Sequence, residues 1–213
     1  MALRFTNRVA IVTGAGGGLG RAYALILARR GCAVLVNDLG VATSGEGGDQ
    51  RPADRVVAEI RAAGGVAAAN YDSATDGPTL VAAAIAHFGG VHIIICNAGI
   101  LRDRSFQKMS DAEWDSLYKV HLLAAFSLAR AAWGRFKEQK FGRIVLIGSA
   151  AGLYGNVGQA NYSAFKLALV GLAKTLAIEG GKNGILTNVA VPIAGSRMTE
   201  TVLPADLVEV SAR

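Results

Sequence analysis

Short, continuously apolar segments alternate with longer amphipathic segments along most of the chain. The apolar segments have the length of strands and predict six of them, at residues 9–13, 33–37, 66–70, 91–96, 143–148 and 185–191. Helices are predicted between them, beginning near Leu19, Arg51, Thr75, Asp111 and Val157. Strands that are apolar throughout are covered on both faces. The pattern therefore predicts an α/β fold with a doubly wound parallel sheet between two layers of helices.

The chain is expected to form a single domain over residues 1–213. Its 213 residues are 52% hydrophobic and include 27 glycines, a composition typical of compact α/β proteins. The Gly-rich polar stretch at residues 40–52 predicts a surface loop after the second strand rather than a linker between domains.

The formal net charge of +6 raises the question of a nucleic-acid partner. Lysine and arginine are scattered, without long runs or interleaved aromatic residues, so an anionic small substrate or a solvated surface explains the charge better. No apolar run approaches the roughly 18 residues of a membrane span. We expect no membrane association and a cytoplasmic location, or a peroxisomal one if the source is eukaryotic.

The two cysteines, Cys32 and Cys96, predict reduced thiols beside strands, with neither disulfide nor metal site.

A glycine-rich turn follows the first predicted strand and leads into the first helix. Gly14, Gly18 and Gly20, with Leu19 between the last two, give the spacing Gly-x-x-x-Gly-x-Gly. At such a turn the backbone can approach a pyrophosphate, which the amide groups at the helix N-terminus can bind. Glycine occurs in many strand-to-helix turns, so the loop predicts a dinucleotide site only together with other residues.

Asp38 ends the second predicted strand, in the place where a carboxylate can accept hydrogen bonds from the ribose 2′-OH of NAD. A carboxylate there repels the 2′-phosphate of NADP. No Arg or Lys stands inside the glycine turn or directly after Asp38 to compensate. NAD is therefore the expected cofactor. An aspartate that only caps a turn is the alternative.

Polar and small residues also follow the third and fourth strands, at the sheet edge where ligands bind in this class of fold. Asp72 is placed to receive the adenine amino group, with Ser73 beside it. Asn97, Ala98 and Gly99 are placed where the backbone would pass close to a cofactor. Ordinary turn chemistry explains either group equally well.

Tyr162 and Lys166 lie four residues apart on a predicted helix and therefore share one face. A nearby ammonium is expected to lower the phenol pKa from about 10, which would make Tyr162 a usable proton donor and acceptor. Ser149, at the end of the fifth strand, could hold a substrate oxygen. These three side chains beside a nicotinamide would support hydride transfer at a carbonyl. A half-buried tyrosine with an exposed lysine is the structural alternative.

The ordered motifs TGxxxGxG, Asn97-Ala98-Gly99, Ser149 and Tyr162-Ser163-Ala164-Phe165-Lys166 resemble the short-chain dehydrogenase/reductase family over essentially the whole chain. The resemblance implies a Rossmann-type fold, an NAD-dependent oxidoreductase acting on a CH–OH group, and catalysis by Ser149, Tyr162 and Lys166. Pro192, Ile193 and Thr199, after the sixth strand, would border the nicotinamide.

The stretches NAGILRDRSF, GNVGQANYSA and GSRMTETVLPADLVE narrow the resemblance to the (3R)-hydroxyacyl-CoA dehydrogenase domains of peroxisomal multifunctional enzymes. This implies oxidation of (3R)-3-hydroxyacyl-CoA to 3-ketoacyl-CoA in fatty-acid β-oxidation. It also implies a homodimer built through the long helices that carry Trp114 and Tyr162. Arg102 and Arg104 could contact substrate phosphates or belong to a solvated loop.

The sequence departs from the family pattern at two places. His121 stands where most members place an asparagine that holds a water of the proton relay, so a supporting catalytic role for His121 is expected, beside the alternative of a structural histidine. Members also continue into a further helix and a seventh strand, whereas this sequence stops at Arg213. We therefore expect six strands, with the usual seventh absent.

Two alternatives to a hydroxyacyl-CoA dehydrogenase remain open. One is another short-chain alcohol or hydroxysteroid dehydrogenase, or a 3-ketoacyl reductase. The other is a shortened, NAD-binding family member without catalytic activity. The presence of Ser149, Tyr162 and Lys166 argues against the second, and the short end argues for it.

Overall fold

A computed structural model describes residues 3–40 and 51–192 of the chain. The strands are β1 (Val9–Thr13), β2 (Ala33–Asn37), β3 (Ala67–Asn70), β4 (Ile93–Cys96), β5 (Gly142–Ile147) and β6 (Ile185–Ala190). The α-helices are α1 (Gly18–Arg29), α2 (Arg51–Ala62), α3 (Gly77–Phe88), α4 (Asp111–Leu117), α5 (Ala124–Glu138), α6 (Ala150–Tyr154) and α7 (Ala160–Gly180). Two 3₁₀ turns (Phe106–Lys108 and Gly181–Asn183) and a π-helical turn (Tyr118–Leu123) complete the described elements.

The six strands form one parallel sheet in the order β3-β2-β1-β4-β5-β6. This confirms the predicted doubly wound α/β fold. The chain reverses its direction of travel across the sheet between β1 and β4. In open α/β sheets such a reversal leaves a crevice at the carboxyl ends of the strands, and ligands bind there.

Each face of the sheet is buried under its own layer of helices. On β1, Val9 and Ile11 belong to the core formed with α3, α5 and α7, whereas Ala10 and Val12 belong to the core formed with α1 and α2. All four side chains are nearly or fully inaccessible to solvent. This two-sided burial explains why the strand sequences lack polar alternation.

Helix boundaries differ from the predicted ones at two places. The third helix, expected near Thr75, begins at Gly77, because the Asp76 carboxylate caps it by accepting a hydrogen bond from the backbone N–H of Thr79 at 3.2 Å. The helix expected near Val157 begins only at Ala160. The short α6 precedes it and was not predicted.

The helix predicted near Asp111 is confirmed, but it is not regular throughout. A capping box starts α4: the Ser110 hydroxyl accepts from the Glu113 N–H at 3.2 Å, and the Glu113 carboxylate accepts from the Ser110 N–H at 2.9 Å. The backbone stays helical through the π-helical turn into α5. The turn interrupts the 3.6-residue spacing at the position of His121, so residues before and after it do not follow one helical wheel.

Several expectations fall on residues outside the described ranges. These are most of the surface loop predicted at residues 40–52, the positions of Ile193 and Thr199, and the absence of a seventh strand. The single domain over residues 1–213 also stays a prediction. Within the described residues, no helix is both long and apolar enough to span a membrane.

Candidate active site

The glycine turn between β1 and α1 is packed so closely that side chains are excluded at two positions. A Cβ on Gly20 would lie 2.1 Å from the Gly14 carbonyl oxygen, and a Cβ on Gly14 would lie 2.9 Å from the Ala98 Cα. Gly18 has a φ of +51° with open space around it among the described residues. Leu19, in the first turn of α1, is half-buried. The packing explains why glycine is needed here, beyond its frequency in turns.

The N-terminus of α1 is available for an anion. Its N-cap, Gly17, offers no side chain to the first turn, and no acidic residue occurs in that turn. The first amide groups of a helix have no partner within the helix, and the helix dipole favours negative charge at this end. The turn therefore fits the pyrophosphate of a dinucleotide.

Gly16 was not singled out as a binding residue from the sequence, although it contacts Asp38 directly. Its backbone N–H donates to Asp38 Oδ2 at 2.7 Å, and a Cβ at this position would lie 2.7 Å from the same oxygen. The run of three glycines at positions 16–18 was the available signal. Gly16 couples the glycine turn to the end of β2.

Asp38 lies at the end of β2, partly exposed, as the dinucleotide prediction requires. Its Oδ1 accepts the Gly40 N–H at 2.8 Å, so the turn-capping role is also present. A carboxylate has about four acceptor positions, which leaves room for ribose hydroxyls beside these two bonds. Arg21, a cation close to the turn in sequence, is held by Glu59 at 2.6 Å.

The residues after β3 form a polar turn on the surface. Asn70 Nδ2 donates to Asp72 Oδ2 at 2.7 Å and fixes this exposed carboxylate. Asn37 reaches across from β2 and donates to the Asp72 carbonyl at 2.8 Å. Ser73 is also exposed, and its hydroxyl accepts the Thr75 N–H at 3.3 Å as in an ordinary turn. Asp72 is thus oriented at the ligand edge of the sheet, whereas the bonds of Ser73 are local.

Asn97, Ala98 and Gly99 follow β4 and lie against the glycine turn. Asn97 Nδ2 donates to the Thr13 carbonyl at 3.0 Å and to the Gly14 carbonyl at 3.1 Å. The Thr13 hydroxyl accepts the N–H groups of Asn97 at 3.0 Å and Ala98 at 3.1 Å. Asn97 therefore clamps the turn in addition to lining the crevice. Thr13 is a further site residue, which appeared in the sequence only as the first letter of the TGxxxGxG motif.

Ser149, Tyr162 and Lys166 are brought together at the carboxyl end of β5. Ser149 follows this strand and caps α6, with its Oγ accepting the Ala151 N–H at 3.2 Å. The Ser149 hydroxyl also forms a hydrogen bond with the Tyr162 phenol. Lys166 Nζ lies 5.5 Å from the centre of the Tyr162 ring and donates to the Ile147 carbonyl at 2.6 Å. Tyr162 is 8% exposed and Lys166 is 5% exposed. The alternative of an exposed lysine is therefore wrong.

The electrostatics of Tyr162 differ from the expectation. Burial raises the pKa of its phenol above the ordinary 10.0, the hydrogen bond from Ser149 opposes this, and the negative charge of Asp103 raises it further. The sequence predicted a phenol pKa below 10, and this prediction is wrong because the pKa is raised. Burial dominates, and the Lys166 ammonium is directed at the Ile147 carbonyl. Burial also lowers the pKa of Lys166 to about 8.

His121 is buried beside Tyr162, in the π-helical turn. The two rings are perpendicular, with centroids 5.2 Å apart, and His121 Nε2 lies 2.9 Å from the Ile100 carbonyl oxygen. Gly99 makes room for the imidazole, because a Cβ there would lie 2.8 Å from His121 Cε1. Burial, assisted by the charge of Lys166, lowers the pKa of His121 to about 3. His121 is therefore neutral at physiological pH.

A cavity of about 10 Å³ lies under the site and is lined by Thr13, Cys96, His121 and Lys166, among others. This is roughly the volume that one water molecule needs. His121 Nδ1 is buried without a hydrogen-bond partner among the described residues. The placement of His121 thus agrees with a water-binding role. Cys96 is a free, half-buried thiol, whereas Cys32 is free and buried.

The remaining predicted residues lie near the mouth of the site. Arg104 is exposed and pairs with Glu113 at 2.9 Å, and Arg102 Nη1 donates to the neighbouring Leu101 carbonyl at 3.2 Å. Pro192 follows β6 at the ligand edge of the sheet. Among the described residues, no group of three or more His, Cys, Asp or Glu side chains could hold a metal ion.

A family model named short chain dehydrogenase matches residues 8–206. The chain belongs to this family. It is 59% identical to the peroxisomal multifunctional enzyme type 2 of Mus musculus, over 97% of the chain and 28% of the relative. It is 42% identical to a hydroxyacyl-CoA dehydrogenase of Mycobacterium tuberculosis, over 94% of the chain and 65% of the relative. The chain spans less than half the length of the peroxisomal multifunctional relatives that it matches.

A solved structure of a 7α-hydroxysteroid dehydrogenase, complexed with NADH and 7-oxo glycochenodeoxycholic acid, has the same fold. Its TM-score is 0.86 at 27% identity, over 95% of this chain and 77% of that one. Members of the short-chain dehydrogenase family generally bind NAD or NADP. The glycine turn of this chain is consistent with such a cofactor.

Proposed function

We propose that this chain is an NAD-dependent dehydrogenase that oxidises (3R)-3-hydroxyacyl-CoA thioesters to 3-ketoacyl-CoA. The observation that carries the proposal is the cluster of half-buried Ser149 with buried Tyr162 and Lys166 at the carboxyl end of β5, next to the crevice between β1 and β4. The name of one relative, a hydroxyacyl-CoA dehydrogenase, supports the substrate class.

The cofactor is proposed to be NAD rather than NADP. The turn at Gly14, Gly18, Leu19 and Gly20 would hold the pyrophosphate, and Asp38 would accept the ribose hydroxyls. Asp72, Ser73, Asn97, Ala98, Gly99 and Pro192 would line the remainder of the cofactor site, with Ile193 beyond the described residues. The bound nicotinamide would accept the hydride that leaves the substrate carbon.

The proton of the substrate hydroxyl would pass to Tyr162. The Oγ of Ser149 already accepts the Ala151 N–H, so its single proton can be donated either to the phenol or to the substrate oxygen. Oxidation requires the phenolate form of Tyr162, and burial raises the pKa of this phenol. We therefore expect oxidation to be faster at mildly alkaline pH, and reduction of the keto substrate to be favoured near neutral pH.

His121 is proposed to support this transfer without changing its own charge. The cavity beside His121 would hold one water molecule, and this water would donate a hydrogen bond to the unpartnered Nδ1. Lys166 lines the same cavity, so the water would lie near it. A neutral imidazole can accept a hydrogen bond from such a water at one nitrogen while the other nitrogen donates to the Ile100 carbonyl. His121 would then continue the proton path from Tyr162 and Lys166.

The chain is further proposed to form a homodimer through α4, α5 and α7. Trp114, Phe126 and Leu167 lie on these helices and Tyr118 lies in the π-helical turn between α4 and α5, and each of the four side chains is 38–50% exposed. Large apolar side chains grouped on neighbouring helices are typical of subunit interfaces. Sedimentation of the wild type and of a Phe126→Glu variant would test this, since the charge should shift the variant toward monomer.

A peroxisomal location in a eukaryote, or a cytoplasmic one in a bacterium, remains part of the proposal.

NADH formation from (3R)-3-hydroxyacyl-CoA, measured by absorbance at mildly alkaline pH, tests the proposed function. Wild type should turn over the (3R) substrate, and Tyr162→Phe should lose about 10²- to 10⁴-fold in kcat while it still binds NAD. A wild type that binds NAD but oxidises neither hydroxyacyl-CoA nor hydroxysteroid would exclude catalysis. A Tyr162→Phe variant with full activity would exclude the proton-transfer role.

A reductase is the second candidate, and the raised pKa of Tyr162 favours it. A phenol that holds its proton near neutral pH is suited to donate this proton to a keto substrate. Steady-state rates with NADPH and 3-ketoacyl-CoA would distinguish the two. A strong preference for NADPH in the reductive direction would replace the dehydrogenase assignment.

A further inference from the structure

Two buried amide side chains lie at the start of α7, directly before the candidate catalytic tyrosine. Gln159 is 3% exposed and forms the N-cap of the helix, and Asn161 is fully buried. Burial of a primary amide is costly unless its donors and acceptors are paired. Each of them has one partner in the segment between β4 and the 3₁₀ turn, residues 97–105, called the β4 loop below.

Gln159 is paired on both sides of its amide. Its Nε2 donates to Asp103 Oδ2 at 2.9 Å, and its Oε1 accepts from Asn156 Nδ2 at 3.0 Å. Next to this pair, the Arg104 N–H donates to the Gly158 carbonyl at 2.8 Å. The β4 loop and the residues before α7 are thus joined through both side chains and backbone.

Asn161 makes a second connection, one residue before Tyr162. Its Oδ1 accepts the Tyr162 N–H at 2.7 Å, and its Nδ2 lies 3.3 Å from the Arg102 carbonyl oxygen and 3.4 Å from that of Glu113. The first turn of α7 is therefore fixed to the β4 loop on both sides of Ala160. Tyr162 extends from this turn toward Ser149.

We infer that Asp103 is a positioning residue for Tyr162, because it accepts the buried Gln159 amide and so fixes the first turn of α7 against the β4 loop. The inference rests on the proposed function, in which Tyr162 transfers the proton. Asp103 is itself exposed, and the described contacts give its side chain no other role. Its charge is not needed for the hydrogen bond, since a neutral amide oxygen would also accept from Gln159.

The charge of Asp103 nevertheless reaches Tyr162. It raises the pKa of the phenol, although less than burial does. The other polar groups that face Tyr162 from the described elements are Ser149 from the end of β5, His121 from the π-helical turn and Lys166 from α7. His121 is neutral, and Lys166 is the basic group, with its pKa lowered by burial to about 8. Asp103 is thus the acidic group in this set.

The two contributions of Asp103 can be separated by two substitutions. Asp103→Ala removes both the acceptor and the charge, whereas Asp103→Asn removes only the charge. Glu138→Gln, at the far end of α5, removes a surface carboxylate whose side chain is 73% exposed and serves as the matched control. Each variant is assayed for kcat, KM for NAD, and the pH dependence of NADH formation.

We expect Asp103→Ala to lower kcat about tenfold with little change in the KM for NAD, since small displacements of a reacting group reduce rates strongly. Asp103→Asn should restore kcat to near the wild-type value. It should also move the acid limb of the oxidation profile to lower pH, since the charge that opposes phenolate formation is gone. A residue with only a structural role would change thermal stability without moving this limb.

The inference is overturned if Asp103→Ala keeps kcat within twofold of wild type, or if the pH profile of Asp103→Asn superposes on those of wild type and Glu138→Gln. Ultraviolet titration of the phenolate, with Tyr162→Phe subtracted, provides a readout that needs no substrate. Two results together would retain the inference while the proposed function fails. These are a lower pKa of Tyr162 in Asp103→Asn and no turnover of substrate by wild type. The same titration decides the outcome if Asp103→Ala does not fold.

Discussion

Asn97 and Thr13 are joined by two hydrogen bonds, one from the Asn97 backbone N–H to Thr13 Oγ1 and one from Asn97 Nδ2 to the Thr13 carbonyl, both at 3.0 Å. Thr13 ends β1 and Asn97 follows β4, so the bonds connect the two strands at the point where the sheet order reverses. The entry to the glycine turn is thereby fixed by the protein itself. Such preorganisation reduces the free energy that ordering the turn would cost on cofactor binding.

Replacement of Thr13 by Val should destabilise the protein and weaken NAD binding. Valine has a similar shape but leaves the N–H groups of Asn97 and Ala98 without their acceptor, and an unpaired buried donor costs about 1–3 kcal/mol. Urea unfolding measures the loss, and dinucleotide titration measures the affinity. Thr13→Ser keeps the hydroxyl and is the control. Equal stability of the Val and Ser variants would contradict the assigned role of Oγ1.

Substitution of Gly20 by Ala should abolish tight NAD binding. The new Cβ would lie 2.1 Å from the Gly14 carbonyl oxygen, so the turn must shift. Gly134→Ala is the matched control, since Gly134 is exposed within α5 and a Cβ there meets no described atom within 4 Å. That variant should keep NAD affinity and gain roughly 0.5–1 kcal/mol of stability from helix propensity. Fluorescence titration with NADH compares them, and wild-type affinity in Gly20→Ala would be inconsistent with the turn as the pyrophosphate site.

Asp38→Asn should reduce the preference for NAD over NADP. The substitution keeps the size of the side chain but removes its negative charge. In the wild type this charge repels a 2′-phosphate, and it also strengthens hydrogen bonds from the ribose hydroxyls. Charge-assisted hydrogen bonds contribute about 1.5–3 kcal/mol, so kcat/KM for NAD should fall about 10- to 100-fold. The ratio of kcat/KM for the two cofactors is the measurement. An unchanged ratio would show that Asp38 only caps the turn.

His121→Asn should make protein stability less sensitive to acid. The pKa of His121 is about 3 in the folded chain, below the ordinary histidine value of 6.5, so below pH 6.5 the unfolded chain binds a proton that the folded chain excludes. His121 thus lowers stability as pH falls from 6.5 toward 3, by up to about 1.4 kcal/mol per pH unit.

Urea unfolding at pH 7.5 and pH 5 tests this expectation. Between pH 7.5 and pH 5, the free energy of unfolding of wild type should fall by about 2 kcal/mol more than that of the Asn variant. The difference arises over the roughly 1.5 pH units from pH 6.5 to pH 5, where only unfolded His121 binds a proton. Parallel losses in the two proteins would mean that His121 can accept a proton in the folded state.

The features that could be predicted from the sequence are those encoded by local pattern. The six strands, the glycine turn and the Ser149, Tyr162 and Lys166 set each depend on residues close in sequence or at fixed strand ends. Helix α6 escaped prediction because five residues are too few to show a helical period. The bond between Asp103 and Gln159 spans 56 positions and depends on how α7 packs against the β4 loop.

The direction of the Tyr162 pKa shift could not be obtained from spacing either. A separation of four residues shows that Lys166 is near, but it does not show how deeply the phenol is buried or where the ammonium is directed. Burial depends on Ile100, Leu117 and Phe165, which come from three different segments and form one apolar cluster with Tyr162. The sign of the shift is therefore a property of tertiary packing.

The proposed cofactor-binding groups and the proposed proton-transfer groups lie on different halves of the sheet, on either side of the reversal of strand order. The groups proposed to select the dinucleotide are mostly carried by β1, β2 and β3, whereas those proposed for proton transfer follow β5 and lie on α7. Thr13 and Asn97 connect these halves. This arrangement makes the molecule suited to modular redesign: cofactor preference could be exchanged at Asp38 without altering the chemistry at Tyr162, provided that the connection at the β1–β4 boundary is kept.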